Sequence, residues 1–255
     1  VDQIQYFKVT QYFFFKQWTE LKNYANQKGI QIIGDMPIYV AADSVEVWTK
    51  PELFQLDEER NPLFVAGVPA DQFSATGQLW GNPLYAWEEH KKQGYAWWIH
   101  RIEESFKIYD VLRIDHFKGF SDYWQVDGKA EVAKDGSWQP GPGYDLFKAV
   151  KEQLGDLPII AEDLGNIDDK ARKLLTDCNY PGMKILQFGF EDVSGESLDS
   201  PHYCIPHSIV YTGTHDNDVT NGWYNSLTEQ QQQYINDYTN RHEDESICQA
   251  MIRQR

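Results

Sequence analysis

The sequence predicts an α/β fold in which a mainly parallel sheet is covered by helices on both faces. Short apolar segments alternate along the chain with segments of helical periodicity, and this alternation is typical of βαβ units. The last three apolar segments begin 25 residues apart, at residues 158, 183 and 208, a spacing close to one strand–helix unit of a barrel. A barrel and an open doubly wound sheet are both compatible with these observations.

The individual elements follow from periodicity and from helix-ending glycines. Three helix–strand pairs are predicted: a helix over 15–28 with a strand over 30–40, a helix over 94–108 with a strand over 109–117, and a helix over 144–154 with a strand over 158–164. Gly29 and Gly155 follow the first and third helices, where glycine commonly ends a helix. Further strands are predicted over 183–190 and 208–213. Five strands are too few to close an eight-stranded barrel.

Two long segments, 41–93 and 121–143, interrupt this pattern. Both contain several turn-forming residues and aromatic rings, and insertions after the strands of α/β folds commonly build the binding surface. For most of these rings, a small core of their own is an equally good interpretation. Trp80 differs, because the glycines and proline around it in "TGQLWGNP" favour an exposed tight turn.

Composition narrows the classes of partner. Aromatic residues make up 15% of the chain, which suggests rings that line a cleft, and 39 acidic against 23 basic residues give a net charge of -16. Attraction to nucleic acid or to an anionic membrane is therefore not expected. No apolar run reaches the ~18 residues of a membrane span, and three separated cysteines predict neither a disulfide framework nor a zinc site. We expect a cytoplasmic protein with a neutral partner.

Ionisable residues cluster where the apolar runs end. In chain order, the clusters are Asp35; Arg113, Asp115 and His116; Glu162 and Asp163; and His215, Asp216 and Asp218. Because the carboxyl ends of parallel strands meet at one edge, these clusters are predicted to line one polar cleft. Carboxylates around a neutral, aromatic-lined cleft suit glycoside cleavage, in which one acid protonates the leaving oxygen and a second carboxylate attacks the sugar or activates water.

Two structural alternatives remain at this point. A single aspartate at a strand end more often caps a helix or holds a loop than catalyses a reaction, although four such clusters in one chain weaken that interpretation. The same oxygens are suitable ligands for Mg²⁺ or Ca²⁺. The fixed cation of Arg113 beside Asp115 argues against a metal, so we predict that none binds there.

Six segments carry a family resemblance. They are "GDMPIYVAADSVEVW" (34–48), "FSATGQLWGNPLY" (73–85), "LRIDHFKGF" (112–120), "AEDLG" (161–165), "PGMKILQF" (181–188) and "YTGTHDND" (211–218). Together they resemble the 4-α-glucanotransferases of the amylomaltase type, also called disproportionating enzymes. The resemblance extends from about residue 30 to about residue 225 and keeps the order of the family.

The resemblance implies a (β/α)8 TIM barrel of the α-amylase clan, of which this chain holds strands three to seven with long insertions. Strands one, two and eight are then missing, so residues 1–255 are expected to form a partial catalytic domain from within a longer enzyme. The implied activity is retaining transfer of an α-1,4-glucan segment from a maltodextrin donor to glucose or maltodextrin, without a cofactor or a required metal. The expected partners are maltooligosaccharides and α-1,4-glucans, and no oligomeric state is predicted.

The resemblance also implies the roles of individual residues. Asp115 is the nucleophile, Glu162 the general acid and base, and Asp216 the carboxylate that stabilises the oxocarbenium-like state. The implied substrate-binding residues are Asp35, Asp71, Trp80, Asn82, Arg113, His116 and His215. The segment 66–82 resembles a mobile loop that covers bound glucan, in which the ring of Trp80 would stack on sugar and exclude water.

Two other functions share part of this pattern. A hydrolase or branching enzyme of the wider clan would have the same three carboxylates, and the segment "FSATGQLWGNP" argues against it. A non-catalytic glucan-binding protein would be expected to have lost Asp115, Glu162 or Asp216, and all three are present.

Overall fold

The computed structural model describes residues 2–70, 74–165 and 167–254. The chain divides into two compact units, Val1–Tyr180 and Pro181–Arg255. The helices are α1 (Asp2–Gln27), α2 (Val45–Thr49), α3 (Trp87–Lys92), α4 (Ala96–Ile108), α5 (Tyr144–Leu154), α6 (Asp169–Cys178), α7 (Leu186–Glu191), α8 (Thr220–Ser226), α9 (Glu229–Thr239) and α10 (Ile247–Arg253). The strands are β1 (Ile33–Pro37), β2 (Phe64–Val68), β3 (Gln78–Pro83), β4 (Val111–Asp115), β5 (Asp122–Asp127), β6 (Ser137–Pro140), β7 (Ile159–Ala161), β8 (Gly182–Ile185) and β9 (Ser208–Tyr211).

A parallel sheet in the order β1-β4-β7 forms the centre of the first unit. Leu112 and Ile114 of β4 are fully buried in the main core. Since side chains alternate along a strand, Arg113 and Asp115 share the opposite face. The register places Asp35 of β1 opposite Arg113, so its side chain joins that face. The predicted α/β class is confirmed, and the polar face of this sheet carries the candidate site.

Close packing fixes the junction between α4 and the sheet. Trp98 and Ile102 of α4 are fully buried against the strands. Tyr109, the residue that ends α4, packs its ring on the backbone of β1 at Gly34. A Cβ at position 34 would collide with that ring, so only glycine permits this approach.

Helix α1 is anchored by hydrogen bonds to the end of α4. The indole Nε1 of Trp18 donates to the carbonyl oxygen of Ile108 at 2.7 Å, and Nζ of Lys22 donates to the carbonyl oxygen of Tyr109 at 2.8 Å. These donors satisfy carbonyls that have no partner within their own helix. The predicted helix over 15–28 is confirmed at its C-terminal end but begins earlier, at Asp2.

The two insertions form one antiparallel sheet in the order β3-β2-β5-β6. Trp80 lies in β3, where the register shifts: Val65 pairs with Pro83, whereas Gly67 pairs with Leu79. The tight turn predicted at Trp80 is therefore wrong. The glycine signal there belongs to a bulge, which accommodates extra residues in one strand, and the ring is 37% exposed.

The second unit contains the parallel strands β8 and β9 and four helices within its described residues. The strand predicted over 183–190 is wrong beyond Ile185, because the chain then forms α7. Leu186 and Phe190, four positions apart, are buried in the core of this unit. In neither unit does the described part of the chain contain a helix long and apolar enough to cross a membrane.

Candidate active site

One guanidinium holds two carboxylates on the polar face of the parallel sheet. Nη1 of Arg113 donates to Oδ1 of Asp35 at 2.7 Å and lies 2.9 Å from Oδ1 of Asp115. Arg113 is only 7% exposed. Burial disfavours its charge, but the hydrogen bond to Asp35 and the neighbouring carboxylates outweigh burial and raise the pKa of Arg113. The charge that the sequence places inside a strand is therefore compensated from two sides.

Glu162 lies one residue beyond β7, beside the end of β4. Its backbone N–H donates to the carbonyl oxygen of Ile114 at 3.0 Å, which continues the sheet. Its carboxylate accepts hydrogen bonds of 2.8 Å from the backbone N–H groups of His116 and Leu164. Two fixed backbone donors therefore set the orientation of this carboxylate.

The protonation of Glu162 is shifted towards neutral pH. Burial of the carboxyl group is the main cause, the negative charge of Asp115 adds to it, and together they raise the pKa of Glu162 to about 7. The N–H of Leu164 and the charge of Arg113 act in the opposite direction without cancelling the shift. A carboxyl group that holds its proton near pH 7 beside an ion-paired carboxylate is suited to general acid catalysis.

His116 connects the end of β4 to the insertion sheet. Its backbone is left-handed, with φ 51° and ψ 48°, and its N–H donates to Glu162. Its ring meets the indole of Trp80 edge to face, with the centroids 4.9 Å apart. Burial, together with the charge of Lys118, lowers the pKa of His116 to about 4, so the ring is neutral at neutral pH.

Two cavities meet at the Trp80–His116 pair, and both residues line both cavities. The smaller, of about 160 Å³, contains Asp115 and Asn82. The larger, of about 520 Å³, contains Glu162 and falls within the range of ~300–1,000 Å³ usual for small-molecule sites. The proposed nucleophile thus lines the smaller cavity and the proposed acid the larger one.

Asn82 has a structural contact as well as a place in the smaller cavity. Its Nδ2 donates to the carbonyl oxygen of Val40 at 3.0 Å, which ties β3 to the segment after β1. Asp71, another predicted binding residue, lies outside the described residues.

The remaining predicted residues belong to the second unit. His215 and Asp216 lie in the turn after β9, with Nε2 of His215 3.5 Å from Oδ1 of Asp216. The N–H of Asp216 donates to Oγ1 of Thr214 at 3.3 Å. The first unit brings together seven of the predicted site residues: Asp35, Trp80, Asn82, Arg113, Asp115, His116 and Glu162.

Sequence reasoning did not single out Lys118, Trp138 and Asp168, which all line the larger cavity. Nζ of Lys118 donates to Oδ2 of Asp168 at 2.7 Å and lies 4.7 Å from the ring centroid of Trp138. The available signal was the position of Lys118, three residues after Asp115 in "RIDHFKGF".

A group able to ligate a metal lies elsewhere. Within the described residues, His100, Glu103 and Glu104 on α4 bring three potential ligand atoms within 4.8 Å of one another. All three residues are exposed, and Glu104 also pairs with Lys107. None of them lines either cavity, so this group contributes nothing to the candidate site.

Comparison with known proteins shows what the chain is similar to. The profile of the 4-alpha-glucanotransferase family matches residues 1–255. A 4-alpha-glucanotransferase of Streptococcus pneumoniae is 53% identical over 99% of this chain and 50% of its own length. That of Thermus thermophilus is 46% identical over 93% of this chain and 48% of its own length.

Solved structures agree with this similarity. The amylomaltase of Streptococcus agalactiae, solved in complex with acarbose, has a TM-score of 0.96 at 60% identity and is matched over 98% of this chain and 51% of its own chain. The amylomaltase of Corynebacterium glutamicum shares the fold, with a TM-score of 0.70 at 16% identity over 94% of this chain and 33% of its own. The chain spans about half the length of these two relatives. The chain belongs to the 4-alpha-glucanotransferase family.

Proposed function

We propose that this chain carries the catalytic residues of an enzyme that transfers α-1,4-glucan segments between maltodextrins. The observation that supports this most directly is the pairing of two unlike carboxyl groups: Asp115, ion-paired to Arg113, and Glu162, whose pKa is raised to about 7. Such a pair separates the role of nucleophile from that of acid. Membership of the family supports the choice of glucan as substrate.

In the first step, the Asp115 carboxylate attacks the anomeric carbon and Glu162 gives its proton to the glycosidic oxygen. The C–O bond breaks, the shortened glucan leaves with a free hydroxyl group, and the transferred segment remains as an ester of Asp115. In the second step, the hydroxyl of an acceptor glucan gives its proton to Glu162 and attacks the same carbon. The ester breaks, and two inversions retain the configuration.

The other predicted residues support these steps. Arg113 orients Asp115, and Asp216 is proposed to stabilise the oxocarbenium-like state, as the family resemblance implies. The proposed sugar contacts are Asp35, Asp71, Trp80, Asn82, Arg113, His116 and His215. Acarbose in the amylomaltase of Streptococcus agalactiae is consistent with a carbohydrate-binding cleft in this family.

We further propose that residues 1–255 represent part of a (β/α)8 barrel, strands three to seven, with insertions at 41–93 and 121–143. The parallel order β1-β4-β7 supports this interpretation, because consecutive barrel strands pair in parallel. A cytoplasmic location and maltodextrin partners remain predictions from the sequence.

The test is to incubate the full-length gene product with maltotriose and to separate the products by length. We expect glucose together with a ladder of longer glucans, and no ladder with Asp115→Asn. Glu162→Gln should form much less of this ladder, whereas Glu103→Gln, which replaces an exposed carboxylate on α4, should form it as the parent does. Glucose and maltose without longer products would instead indicate a hydrolase, and glucan binding without any product would indicate a binding protein.

A further inference from the structure

The larger cavity has a wall built around one partly buried lysine. Lys118 lies in a short helical turn, Phe117–Phe120, and its side chain is only 12% exposed. Its ammonium lies 3.2 Å from Oδ1 of Asp122 and donates to Oδ2 of Asp168 at 2.7 Å. One cation therefore ties the start of β5 to the residue that caps α6.

The two carboxylates have different surroundings. Asp122 is 8% exposed, and its Oδ1 accepts no hydrogen bond from the residues that the structure describes. The ion pair with Lys118 compensates this buried charge, which fixes the ammonium in place. Asp168 is partly exposed and lines the cavity. Its other carboxylate oxygen caps α6 by accepting from the N–H of Ala171 at 2.9 Å.

Trp138 completes this wall. Its indole is 42% exposed and lines the cavity. The ammonium of Lys118 lies 4.7 Å from its ring centroid, and the ring of Trp124 packs edge-on at 5.2 Å. These two contacts hold the indole in one orientation. A held aromatic ring beside a fixed ammonium and a partly exposed carboxylate offers apolar contact, a donor and an acceptor within one cavity.

The position of Glu162 indicates which sugar this wall would meet. In the proposed reaction, Glu162 first protonates the glycosidic oxygen of the glucan that leaves. It later takes the proton from the hydroxyl oxygen of the acceptor glucan. Glu162 opens onto the larger cavity, whereas Asp115, which would hold the transferred segment, opens onto the smaller one. The acceptor glucan therefore belongs on the side of Lys118 and Trp138.

We propose that Lys118, Trp138 and Asp168 form a binding wall for the acceptor glucan and determine the affinity and length preference for acceptors. This inference rests on the proposed transfer function. Trp138 and Asp168 contact the sugar directly, whereas Lys118 also holds both in place. A substitution in the wall changes the second step of the reaction more than the formation of the glycosyl-enzyme.

The test uses α-maltotriosyl fluoride as donor and maltose as acceptor, with the full-length gene product. In the first step, the carboxylate of Asp115 bonds to the anomeric carbon and the C–F bond breaks to release fluoride, without a leaving sugar. In the second step, the maltose hydroxyl gives its proton to Glu162, bonds to that carbon and displaces Asp115. Fluoride release in the first turnover reports on the first step, and the KM for maltose reports on the second.

We expect Trp138→Ala and Lys118→Met to raise the acceptor KM about tenfold, the effect of losing one aromatic or charge-assisted contact. First-turnover fluoride release should stay within about twofold of the parent. Trp138→Phe keeps a ring and should recover most of the acceptor affinity. Trp48→Ala, which removes an exposed indole on α2, is the matched control and should leave both steps unchanged.

The two proposals fail in different ways. An unchanged acceptor KM and an unchanged product length distribution in both Trp138→Ala and Lys118→Met would overturn the acceptor wall and leave the transfer function intact. Absence of fluoride release from the parent protein would overturn the transfer function itself. If Trp138→Ala lowers Tm, Asp168→Asn decides between the outcomes, because it retains the size of the side chain. A raised acceptor KM in that variant supports the wall, and an unchanged one overturns it.

Discussion

The indole of Trp80 meets the imidazole of His116 edge to face, with the ring centroids 4.9 Å apart and the ring planes at 89°. Because burial lowers the pKa of His116 to about 4, this is a contact between two neutral rings at neutral pH. It joins a bulge in β3 to the end of β4, and both rings line the cavity of Asp115 as well as the cavity of Glu162. The insertion sheet is thereby coupled to the strand that carries the proposed nucleophile.

The first prediction is that Trp80→Ala increases hydrolysis at the expense of transfer. Removing the indole opens both cavities to water at the point where they meet, so water competes better with the acceptor for the glycosyl-enzyme. We expect the ratio of hydrolysis to transfer to rise about fivefold, corresponding to ~1 kcal/mol for one aromatic contact. The measurement compares new reducing ends with longer products formed from maltotriose.

Trp80→Phe should give an intermediate ratio, since a smaller ring still fills part of the space that both cavities share. Trp48→Ala serves as the control for loss of an exposed indole outside the site. A parental ratio of hydrolysis to transfer in Trp80→Ala would argue against a water-excluding role for this residue.

The second prediction concerns the guanidinium shared by Asp35 and Asp115. Arg113→Met leaves two neighbouring carboxylates without their cation, and we expect loss of transfer and destabilisation by about 1–3 kcal/mol. This range is below that of a fully buried pair because both carboxylates are partly exposed. Thermal unfolding, followed by Tm, measures the destabilisation.

The double variant Asp35→Asn with Arg113→Met should be destabilised by less than the sum of the two single variants. Without Arg113 the two carboxylates repel each other, and Asp35→Asn removes one of these charges. The control is Lys148→Met, which breaks an exposed pair with Glu152 at 3.9 Å and should change stability by no more than ~0.5 kcal/mol. Strict additivity in the double variant would contradict a shared electrostatic network.

Periodicity predicted some elements well and others poorly, for physical reasons. Helix α5 has the predicted bounds, 144–154, because buried residues recur at helical spacing and Gly155 follows the last turn. The short apolar run after Ile185 has neither signal. Four or five apolar residues fit a buried strand and a buried helix turn equally well, so the pattern does not distinguish the two. The helices after residue 219 were not predicted, although Thr228 with Gln231 forms a capping box that is readable as a sequence signal.

The candidate site was likewise predictable in one part and not in another. The meeting of Asp35 with Arg113 was predictable, because parallel strands place equivalent positions side by side. The wall of Lys118 and Trp138 was not, because Trp138 is placed by the pairing of β5 with β6 within the second insertion. The sequence between them does not show that these two segments are strands or in which register they pair.

The third prediction is a loss of activity as pH rises above about 7. Glu162 must carry its proton to act as general acid, and its pKa is raised to about 7, so the competent fraction declines through that pH. We expect kcat/KM for maltotriose to decrease on the alkaline side with an apparent pKa near 7. The measurement is a pH profile of initial rates.

Glu162→Gln removes the proton donor and should lower kcat for maltotriose by about 10²–10⁴-fold. First-turnover fluoride release from α-maltotriosyl fluoride should decrease much less, because fluoride leaves without protonation, and it should no longer decline near pH 7. Glu103→Gln should retain the parental profile. Equal losses with both donors would contradict the role of Glu162 as acid.

The fourth prediction uses the left-handed backbone of His116, at φ 51°. Asparagine adopts this conformation readily, whereas a β-branched residue is strained there by about 1–2 kcal/mol. Both His116→Asn and His116→Val lose the ring, but only valine is strained, so His116→Val should have the lower Tm. Because the N–H of residue 116 donates to Glu162, a backbone that relaxes away from φ > 0 also releases this carboxylate, so His116→Val should lose transfer activity as well. The control is His100→Val on the exposed face of α4, which measures the effect of the same substitution in a regular helix. Equal Tm values for His116→Asn and His116→Val would show that the left-handed turn imposes no constraint.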